Sequence, residues 1–313
     1  MNATRDSHSL ESMLAARRDS DLGTGFHACP TRAGCPHCEK GATPAPAGRD
    51  WSFLDGVYCI SLSHREDRAS DAAGELHRLG LCTHTVFYRP TRDRAPKRGC
   101  WESHRAVAMH ARARGLRRVL ILEDDVLFAS SISPVGVARI GAALASLPPD
   151  WMGFYLGHWA LWAYPVGRNV VRCSSLCTHA YVASEGLLSW LEETPFERRN
   201  DIPRSRVGGR GIDTAFAALP GMYAFFPLIA AQRLGTNDHM HTPRKRIWPP
   251  RKLMLDMLVR SRAREYALAY AMGVNEKLVI ALTPILLPGL RLVRWLARKR
   301  AGRRLAASAG PRD

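Results

Sequence analysis

The chain has 313 residues, 46% of them apolar, and a formal net charge of +17. This apolar content is enough for one hydrophobic core of roughly 200 residues together with extensions. The segment from Pro243 to Asp313 contains 17 Lys/Arg and 4 Asp/Glu, a net charge of +13, which leaves +4 for residues 1–242. The positive charge is therefore concentrated in the tail, and the rest of the chain is not uniformly basic. The tail is predicted to have an anionic partner, either a membrane surface or nucleic acid.

Residues 1–50 are polar and rich in Gly and Pro, which is typical of a mobile extension and linker. The first residues contain no basic segment followed by an apolar run, so they predict no secretory signal and a cytoplasmic protein with reduced thiols. The extension holds three cysteines with two nearby histidines: Cys29, Cys35, Cys38, His27 and His37. A C-x-x-C pair beside His is typical of a zinc knuckle, but no second pair follows, so a bound metal and free thiols both stay open.

From Asp55 onward, apolar strands alternate with helices. The segments 56–62, 83–88 and 116–122 have the short apolar pattern of strands. The helix between the first two has apolar residues at Ala72, Leu76 and Leu79, and a second helix is expected over 99–115. This strand–helix–strand–helix–strand order predicts a parallel sheet in an α/β fold. Ligands of such sheets bind at the carboxyl ends of the strands, where the loop after Leu62 and the acids after Leu122 should meet.

The second half of the domain is expected to add further helices and strands. They comprise a helix over 135–147, strands at 151–157 and 169–173, a helix over 185–191, a short helix within 211–219 and a strand at 222–232. The boundaries that follow are an extension at 1–50, one domain at 51–242 and a basic helical tail at 243–313.

The tail contains 13 uncharged residues from Leu278 to Leu290, interrupted by Pro284 and Pro288. A spanning helix needs about 20 apolar residues. The stretch is flanked by many Arg and Lys with Trp295 close by, a composition typical of an interfacial anchor on anionic lipid. This favours a peripheral location at the inner face of the membrane, and the alternative is a helix packed on the core.

Three adjacent carboxylates, Glu123, Asp124 and Asp125, follow the apolar run LILE in the stretch LILEDDVLF. Such a cluster at a strand end can chelate a divalent cation, supply an acid/base pair or cap a helix. Adjacent acids are poorly placed for glycoside hydrolysis, which needs two carboxylates at least about 5 Å apart. Mg²⁺ and Mn²⁺ prefer hard oxygen ligands and bind one or two carboxylates plus substrate phosphates. Because alternate residues of a strand point the same way, Glu123 and Asp125 are expected to face one side and Asp124 the other.

The segments around these acids resemble glycosyltransferase family 25, the lipopolysaccharide and collagen galactosyltransferase-like group. Six motifs occur in the order of that family: VYCISLSHREDR (57–68), GCWESH (99–104), VLILEDDVLF (119–128), THAYVAS (178–184), GIDTAFA (211–217) and QRLGTNDH (232–239). The resemblance implies a single GT-A-like nucleotide-sugar-binding domain with a mixed, mostly parallel central sheet. It also implies a donor that is typically UDP-galactose, a divalent metal and an inverting transfer to a hydroxyl. The acceptor expected from it is a lipopolysaccharide-type or other glycan.

The resemblance also implies roles for individual residues. Glu123, Asp125 and His179 are the expected metal ligands, and Asp213 is the expected base that takes the proton of the acceptor hydroxyl. The expected donor contacts are Arg65, Arg68, His104, Asp124, Asn237 and Asp238, with His239 and His241 as further contacts. Several of these residues also have a purely structural interpretation. The arginines could lie exposed to solvent at the start of a helix, and the histidines could be ordinary buried core residues. Asp213 could be an acid that the helix dipole stabilises at a helix N-terminus.

Two departures from the family pattern limit the resemblance. The first strand is followed by Ser-His-Arg where the family has an acidic or polar residue before its Arg pair, which leaves Arg65 uncertain. The Cys/His segment and the basic tail have no counterpart, which leaves the acceptor open. Two rival classes are a nucleic-acid-binding protein and a metal-dependent phosphodiesterase. Aromatic residues are not interleaved with the basic ones, and no further His/Asp ligands flank the acids, so neither is favoured.

Overall fold

The computed structural model describes residues 23–29, 49–129, 132–202, 209–233 and 271–284. The predictions for Cys35, Cys38, Asn237, Asp238, His239, His241 and most of the tail lie outside these residues. The helices and strands follow in the order β1 (Phe26–His27), β2 (Gly56–Ile60), α1 (Glu66–Leu79), β3 (Thr85–Tyr88), α2 (Pro96–Ala113), β4 (Val119–Glu123), β5 (Val126–Phe128), α3 (Pro134–Ala145), β6 (Gly153–Gly167), β7 (Val170–Ala183), α4 (Glu185–Glu193), α5 (Ile212–Phe216), β8 (Met222–Phe225), β9 (Ala230–Gln232) and α6 (271–284).

Seven strands of the described chain form one mixed sheet in the order β1-β3-β2-β4-β7-β6-β8. Strand β2 pairs in parallel with β3 and β4, and β6 pairs in parallel with β8. Strand β7 is antiparallel to β4, β6 and β8, and β1 is antiparallel to β3. Five of these seven strands therefore point in one direction, which confirms the predicted α/β fold with a mixed, mostly parallel sheet.

Helices cover both faces of the sheet, and strand β4 shows why the sequence requires this. Leu120 and Leu122 belong to the core that includes α1 and α3, whereas Val119 and Ile121 belong to the core that includes α2 and α4. Successive side chains of a strand point to opposite faces. A run of four buried aliphatic residues is therefore a strand enclosed on both sides, as parallel sheets require.

The first two helices lie close to their predicted positions. The buried residues of α1 recur at helical spacing, and the helix ends at Gly80, whose φ of 74° is the left-handed conformation common at helix ends. Helix α2 begins at Pro96, three residues before the predicted start at Gly99. Proline suits the first turn of a helix because its missing N–H has no partner there in any case.

Strands β6 and β7 form a hairpin much longer than the two short strands predicted at 151–157 and 169–173. The chain reverses through Asn169, whose φ is 60°, and asparagine is one of the residues that tolerate this conformation. The register of the pair shifts at several points along its length. Bulges of this kind interrupt the alternation of buried and exposed residues on which sequence patterns depend.

The segment 222–232 was expected to be one strand but contains two. Strand β8 ends before Pro227, which cannot donate a ladder hydrogen bond. Strand β9 then pairs with β5 in a second, two-stranded sheet. This sheet lies close to β6, since a Cβ on Gly157 would be 2.2 Å from the carbonyl oxygen of Ala230.

Part of the segment predicted as a mobile extension belongs to the sheet. Phe26 and His27 pair with Tyr88 and Phe87. The Phe26 ring also stacks on His110, with 3.9 Å between the ring centroids. A strand of two residues is too short to produce a periodic pattern, so composition alone could not identify it.

Helix α6, from the predicted tail, packs against the hairpin and the loop before β9. Three of its side chains accept hydrogen bonds from backbone N–H groups, and the pairs are Asn275 with Ala160 (2.9 Å), Thr283 with Ala163 (3.2 Å) and Glu276 with Leu228 (3.0 Å). Residues 271–284 therefore form a helix packed on the body, which was the alternative to a membrane anchor for this part of the tail.

The other face of α6 is apolar and exposed. Val274, Leu278 and Leu282 are spaced four residues apart and are 37%, 56% and 47% exposed. No helix in the described part of the chain has both the length and the apolar character needed to cross a bilayer.

Candidate functional site

The carboxyl ends of β2, β3 and β4 meet at one edge of the sheet, as the sequence predicted. The N–H of Asp124 donates to the carbonyl of Ile60 at 3.1 Å, and the N–H of Ser61 donates to the carbonyl of Tyr88 at 3.0 Å. The N–H of Arg233 donates to the carbonyl of Asp125 at 2.6 Å. These bonds fix the backbone of the acidic turn between strands of both sheets.

A cleft of about 680 Å³, partly open to solvent, lies at this edge. The residues that line it come from the ends of β2 and β4, the loop after β3 and the first turns of α1 and α2: Ile60, Leu62, Arg68, Arg92, Asp93, Pro96, Gly99, Cys100, Ser103, His104, Glu123, Asp124 and Asp125.

The Arg68 guanidinium joins two of the three acids. Its Nη2 is 2.9 Å from Asp124 Oδ1 and 2.9 Å from Asp125 Oδ2, and all three side chains are largely buried. Burial raises the pKa of Asp125 to about 7, and the Glu123 charge adds to the increase despite the nearby Arg68. Burial likewise raises the pKa of Asp124. One oxygen of Asp125, Oδ1, is buried with no hydrogen-bond partner among the described residues.

Glu123 faces a different set of partners from the two aspartates. Its Oε1 accepts a hydrogen bond from Thr178 Oγ1 at 2.6 Å and lies 3.3 Å from His104 Nε2. Burial alone would raise the pKa of Glu123, but hydrogen bonds from His104 and Thr178 hold it at about 2.

This geometry differs from the expectation that Glu123 and Asp125 face one side and Asp124 the other. Asp124 and Asp125 share one arginine instead. Strand β4 ends at Glu123, and the two aspartates form the turn into β5. Side chains alternate only along an extended strand, so the rule does not extend past Glu123.

His104, a predicted donor contact, is buried and held at both ring nitrogens. Its Nδ1 lies 2.8 Å from the hydroxyl of Tyr181, and its Nε2 faces Glu123. Cys100 lies one turn earlier on α2. Cys100, His104 and Glu123 each have one potential metal-ligand atom, and these three atoms lie within 4.8 Å of one another. In the described ranges this is the only group of three or more potential metal ligands that lie so close together.

Asp213, the predicted base, lies in the first turn of α5, which packs against β7. Its Oδ1 accepts a hydrogen bond from the N–H of Thr214 at 2.7 Å. Burial raises the pKa of the Cys100 thiol, and the charges of Glu123 and Asp213 add to this increase. Burial also raises the pKa of Cys177, and the same two carboxylates add to that increase. The tertiary fold therefore brings Asp213 into electrostatic range of the cleft.

Besides Asp213, two further predicted residues are not part of the cleft lining. The guanidinium of Arg65 makes two hydrogen bonds with Asp67, at 2.9 and 2.8 Å. His179 is completely buried, and a Cβ on Gly157 would be 2.4 Å from its Nε2. Burial lowers the pKa of His179 to about 4, against the opposing charge of Glu123.

Sequence reasoning assigned no role to several residues of this region. Arg92, Asp93, Cys100 and Ser103 line the cleft, and Thr178 and Tyr181 hold Glu123 and His104. Cys100 and Thr178 lie inside the motifs GCWESH and THAYVAS. The spacing of Cys100 and His104, four residues apart in a predicted helix, was a usable signal because such residues share one face.

The hairpin of β6 and β7 continues beyond the end of β4, and its far end pairs with β8 through residues 170–172. The last pair between β4 and β7 is Leu122 with Ala180, whereas β6 and β7 stay paired as far as Gly167 and Val170. Partly exposed aromatic rings lie on this part of the hairpin, where Trp162 and Tyr164 stack with 5.7 Å between centroids.

Two solved structures that resemble this chain are distant from it in sequence. No family model and no curated protein matches the chain. A glycosyltransferase involved in glycosylation of the major capsid of PBCV-1 is 10% identical with a TM-score of 0.33, covering 47% of this chain and 67% of its own. A putative glucose-1-phosphate thymidylyltransferase from Bacillus anthracis is 12% identical with a TM-score of 0.31, covering 56% and 69%. At this similarity neither structure assigns a function to this chain.

Proposed function

We propose that this protein is a metal-dependent, inverting glycosyltransferase that moves a hexose from a UDP-sugar to a hydroxyl of a lipopolysaccharide-type or other glycan. The observation that carries the proposal is the pair of buried aspartates bridged by Arg68 at the floor of an open cleft. Buried like charges are costly unless a cation offsets them. A nucleoside diphosphate with its divalent metal supplies both a cation and a ligand for a displaced arginine.

The acidic turn fits a Mg²⁺ or Mn²⁺ ion. Asp125 Oδ1 is buried without a partner among the described residues, and carboxylate oxygens are the ligands these ions prefer. Glu123, Asp125 and His179 remain the proposed ligands, although their ligand atoms do not form a close three-residue group among the described residues, so Glu123 and His179 would have to rotate toward the ion. When bound, the ion neutralises charge on the diphosphate leaving group.

The donor contacts follow from the cleft walls. Arg68 is the largely buried cation that faces the acids, and we assign it to the diphosphate because guanidinium groups bind phosphate oxygens in pairs. Asp124 is assigned to a donor hydroxyl, and His104 supports the pocket through Glu123. Arg65, Asn237 and Asp238 remain proposed donor contacts.

Asp213 is the proposed base of the transfer. Its carboxylate takes the proton of the acceptor hydroxyl as that oxygen bonds to the anomeric carbon of the donor sugar. The bond from this carbon to the phosphate oxygen breaks, and its electron pair leaves with UDP. Attack opposite the leaving group inverts the anomeric configuration. The aromatic rings of the hairpin, Trp162 and Tyr164 among them, are the proposed acceptor surface, because flat rings pack well against sugars.

Turnover of UDP-sugars by the full-length protein tests this function. A panel of UDP-hexoses is incubated with glycan acceptors and Mn²⁺, and UDP release and product are measured. Asp125→Ala should abolish turnover. Asp213→Asn should lower kcat by roughly 10²- to 10⁴-fold with little change in KM for the donor. Asp201→Asn, at an acid that is 68% exposed in a surface ion pair, is the matched control and should retain activity.

The products also separate the rival classes. A glycosyltransferase releases UDP and forms a glycoside, whereas a phosphodiesterase would release UMP and sugar phosphate. Full wild-type turnover in excess EDTA would contradict the metal role, and UMP formation would replace the proposed function with hydrolysis.

A further inference from the structure

Helix α2 presents a thiol and an imidazole toward the cleft. Cys100 and His104 are four residues apart, so both lie on one face of the helix, and both line the cleft. The thiol is partly exposed and the imidazole is buried. A cysteine and a histidine at this spacing can both bind one ion without any change in the backbone.

Glu123 completes a three-residue group from a second element. Its carboxylate extends from the end of β4, with Oε1 3.3 Å from His104 Nε2. Two ligands at about 2.0–2.1 Å from one tetrahedral ion lie at a similar separation from each other. Cys100 Sγ falls within 4.8 Å of the other two ligand atoms, so small side-chain rotations would bring all three to one ion.

Neighbouring hydroxyl groups already orient two of the three ligands. Tyr181 lies 2.8 Å from His104 Nδ1, which leaves Nε2 directed toward Glu123. Thr178 donates to Glu123 Oε1 at 2.6 Å. Histidine ligands of metals commonly have their second nitrogen hydrogen-bonded in this way, and carboxylate ligands are hydrogen-bonded in turn.

We propose that Cys100, His104 and Glu123 form a transition-metal site that binds Zn²⁺ and leaves one coordination position open to the cleft. A thiolate, an imidazole and a carboxylate are typical zinc ligands, whereas Mg²⁺ and Mn²⁺ prefer oxygen ligands. Three protein ligands with a fourth position toward a cleft is the arrangement of catalytic rather than structural zinc. The site does not depend on the proposed glycosyltransferase function. Zinc bound here would engage Glu123 and so oppose binding of the donor-associated ion.

Cobalt substitution tests the site by spectroscopy. Full-length protein with Cys35→Ser and Cys38→Ser, which removes the C-x-x-C pair, is stripped of metal and titrated with Co²⁺. We expect a near-ultraviolet thiolate-to-cobalt charge-transfer band that saturates at one Co²⁺ per chain and disappears when Zn²⁺ is added. Adding Cys100→Ser should abolish the band, and Tyr181→Phe should weaken Co²⁺ binding about 10- to 100-fold.

The control is Cys177→Ser, since Cys177 experiences the same carboxylate charges but lies outside the three-residue group. This variant should retain the band. Circular dichroism spectra establish that each variant is folded, and Cys100→Ala serves as a second variant. Absence of a thiolate band in the parent protein, or its persistence in both Cys100 variants, would overturn the proposal. This readout needs no UDP-sugar, so it can fail while the proposed function stands, and the reverse also holds.

Discussion

Three consecutive carboxylates have three different environments in this protein. Glu123 accepts hydrogen bonds from His104 and Thr178, which hold its pKa at about 2, whereas burial raises the pKa of Asp125 to about 7. Asp124 shares the Arg68 guanidinium with Asp125. The differences arise because the chain turns after Glu123, so adjacent residues face different neighbours. At this scale, Arg68 is the residue on which the stability of the acidic turn depends.

Replacing Arg68 by Ala should destabilise the metal-free protein by about 3 kcal/mol, because two largely buried carboxylates would lose their shared cation. Urea denaturation at neutral pH measures the effect. The matched control is Arg117→Ala, which removes an ion pair with Glu185 whose side chains are 73% and 63% exposed. That change should cost no more than about 1 kcal/mol. Equal losses of stability in the two variants would show that the Arg68 ion pairs contribute no more than an exposed surface ion pair.

The hairpin of β6 and β7 and helix α6 stabilise each other through hydrogen bonds. Strand β6 pairs with β8 only at Gly153, Phe154 and Tyr155, so later backbone N–H groups on that edge lack a partner in β8, and buried N–H groups need acceptors. Side chains of α6 supply them, with Asn275 and Thr283 bound to Ala160 and Ala163. Glu276 extends the same contact into the core, where it is completely buried 3.6 Å from His158. The side chains of α6 therefore accept hydrogen bonds that the backbone of a neighbouring strand would otherwise accept.

The buried Glu276 predicts a specific dependence of stability on pH. Burial raises its pKa to about 7 from an ordinary 4.5, so the native state binds this proton more tightly than the unfolded chain does. Its contribution is therefore present below about pH 4.5 and lost as the pH rises to about 7. Burial lowers the pKa of neighbouring His158 to about 3, and that histidine has the opposite dependence up to its ordinary value of 6.5.

Glu276→Gln keeps an acceptor for the Leu228 N–H but removes the ionisable group. The free energy of unfolding of the variant minus that of the wild type should rise between about pH 4.5 and 7, by roughly 2–3 kcal/mol, and then level off. Denaturant titrations across this range measure it. Because His158 is present in both proteins, the part of its contribution that does not depend on the Glu276 charge cancels in the difference. A difference that does not change with pH would mean that Glu276 is ionised throughout.

At the scale of the whole molecule, charge is divided between two regions. The first 242 residues have a net charge of only +4, and the last 71 have +13. The part of the tail that the structure describes packs on the body through one face and exposes three apolar side chains on the other. An apolar surface beside a basic segment is the combination that binds the interface of an anionic membrane, which is our proposal for the tail.

The full-length protein should bind vesicles that contain phosphatidylglycerol and should not bind vesicles of phosphatidylcholine alone. Flotation assays at increasing salt measure this, and binding should weaken as exposed charges are screened. Replacing Arg294, Arg298, Lys299 and Arg300 together by Ala should lower the affinity by roughly two to three orders of magnitude, at about 1 kcal/mol per charge.

A control for this experiment removes the same number of charges from the body. Arg94, Arg117, Arg139 and Arg168 are exposed there, and their replacement by Ala should change vesicle binding little. Equal losses in the two quadruple variants would mean that total charge rather than the tail determines binding. Preference for DNA over vesicles would instead favour the nucleic-acid rival.

Local sequence patterns predicted much of the fold but only part of the site. The order from β2 to β4, the positions of α1, α3 and α4 and the meeting of three strand ends were predictable from apolar spacing and from helix-ending residues such as Gly80. The two-residue strand β1, the long hairpin and the split at Pro227 were not predicted. Their pairing depends on contacts distant in the chain, and the bulges interrupt the periodicity that would have indicated the hairpin.

The sequence by itself determined that three acids end a buried strand at the ligand-binding edge of an α/β sheet. An apolar run predicts a buried strand, and the charged residues that directly follow it mark the end of that strand. It also determined the basic tail. Only the tertiary structure decided which partners each acid has, since Arg68, Thr178 and His104 reach them from elements far apart in the chain. For the same reason it alone placed Cys100 and His104 beside Glu123, and Asp213 near enough for its charge to act on the Cys100 thiol. Side-chain chemistry can be read from the sequence, but the distances that make it a site exist only after folding.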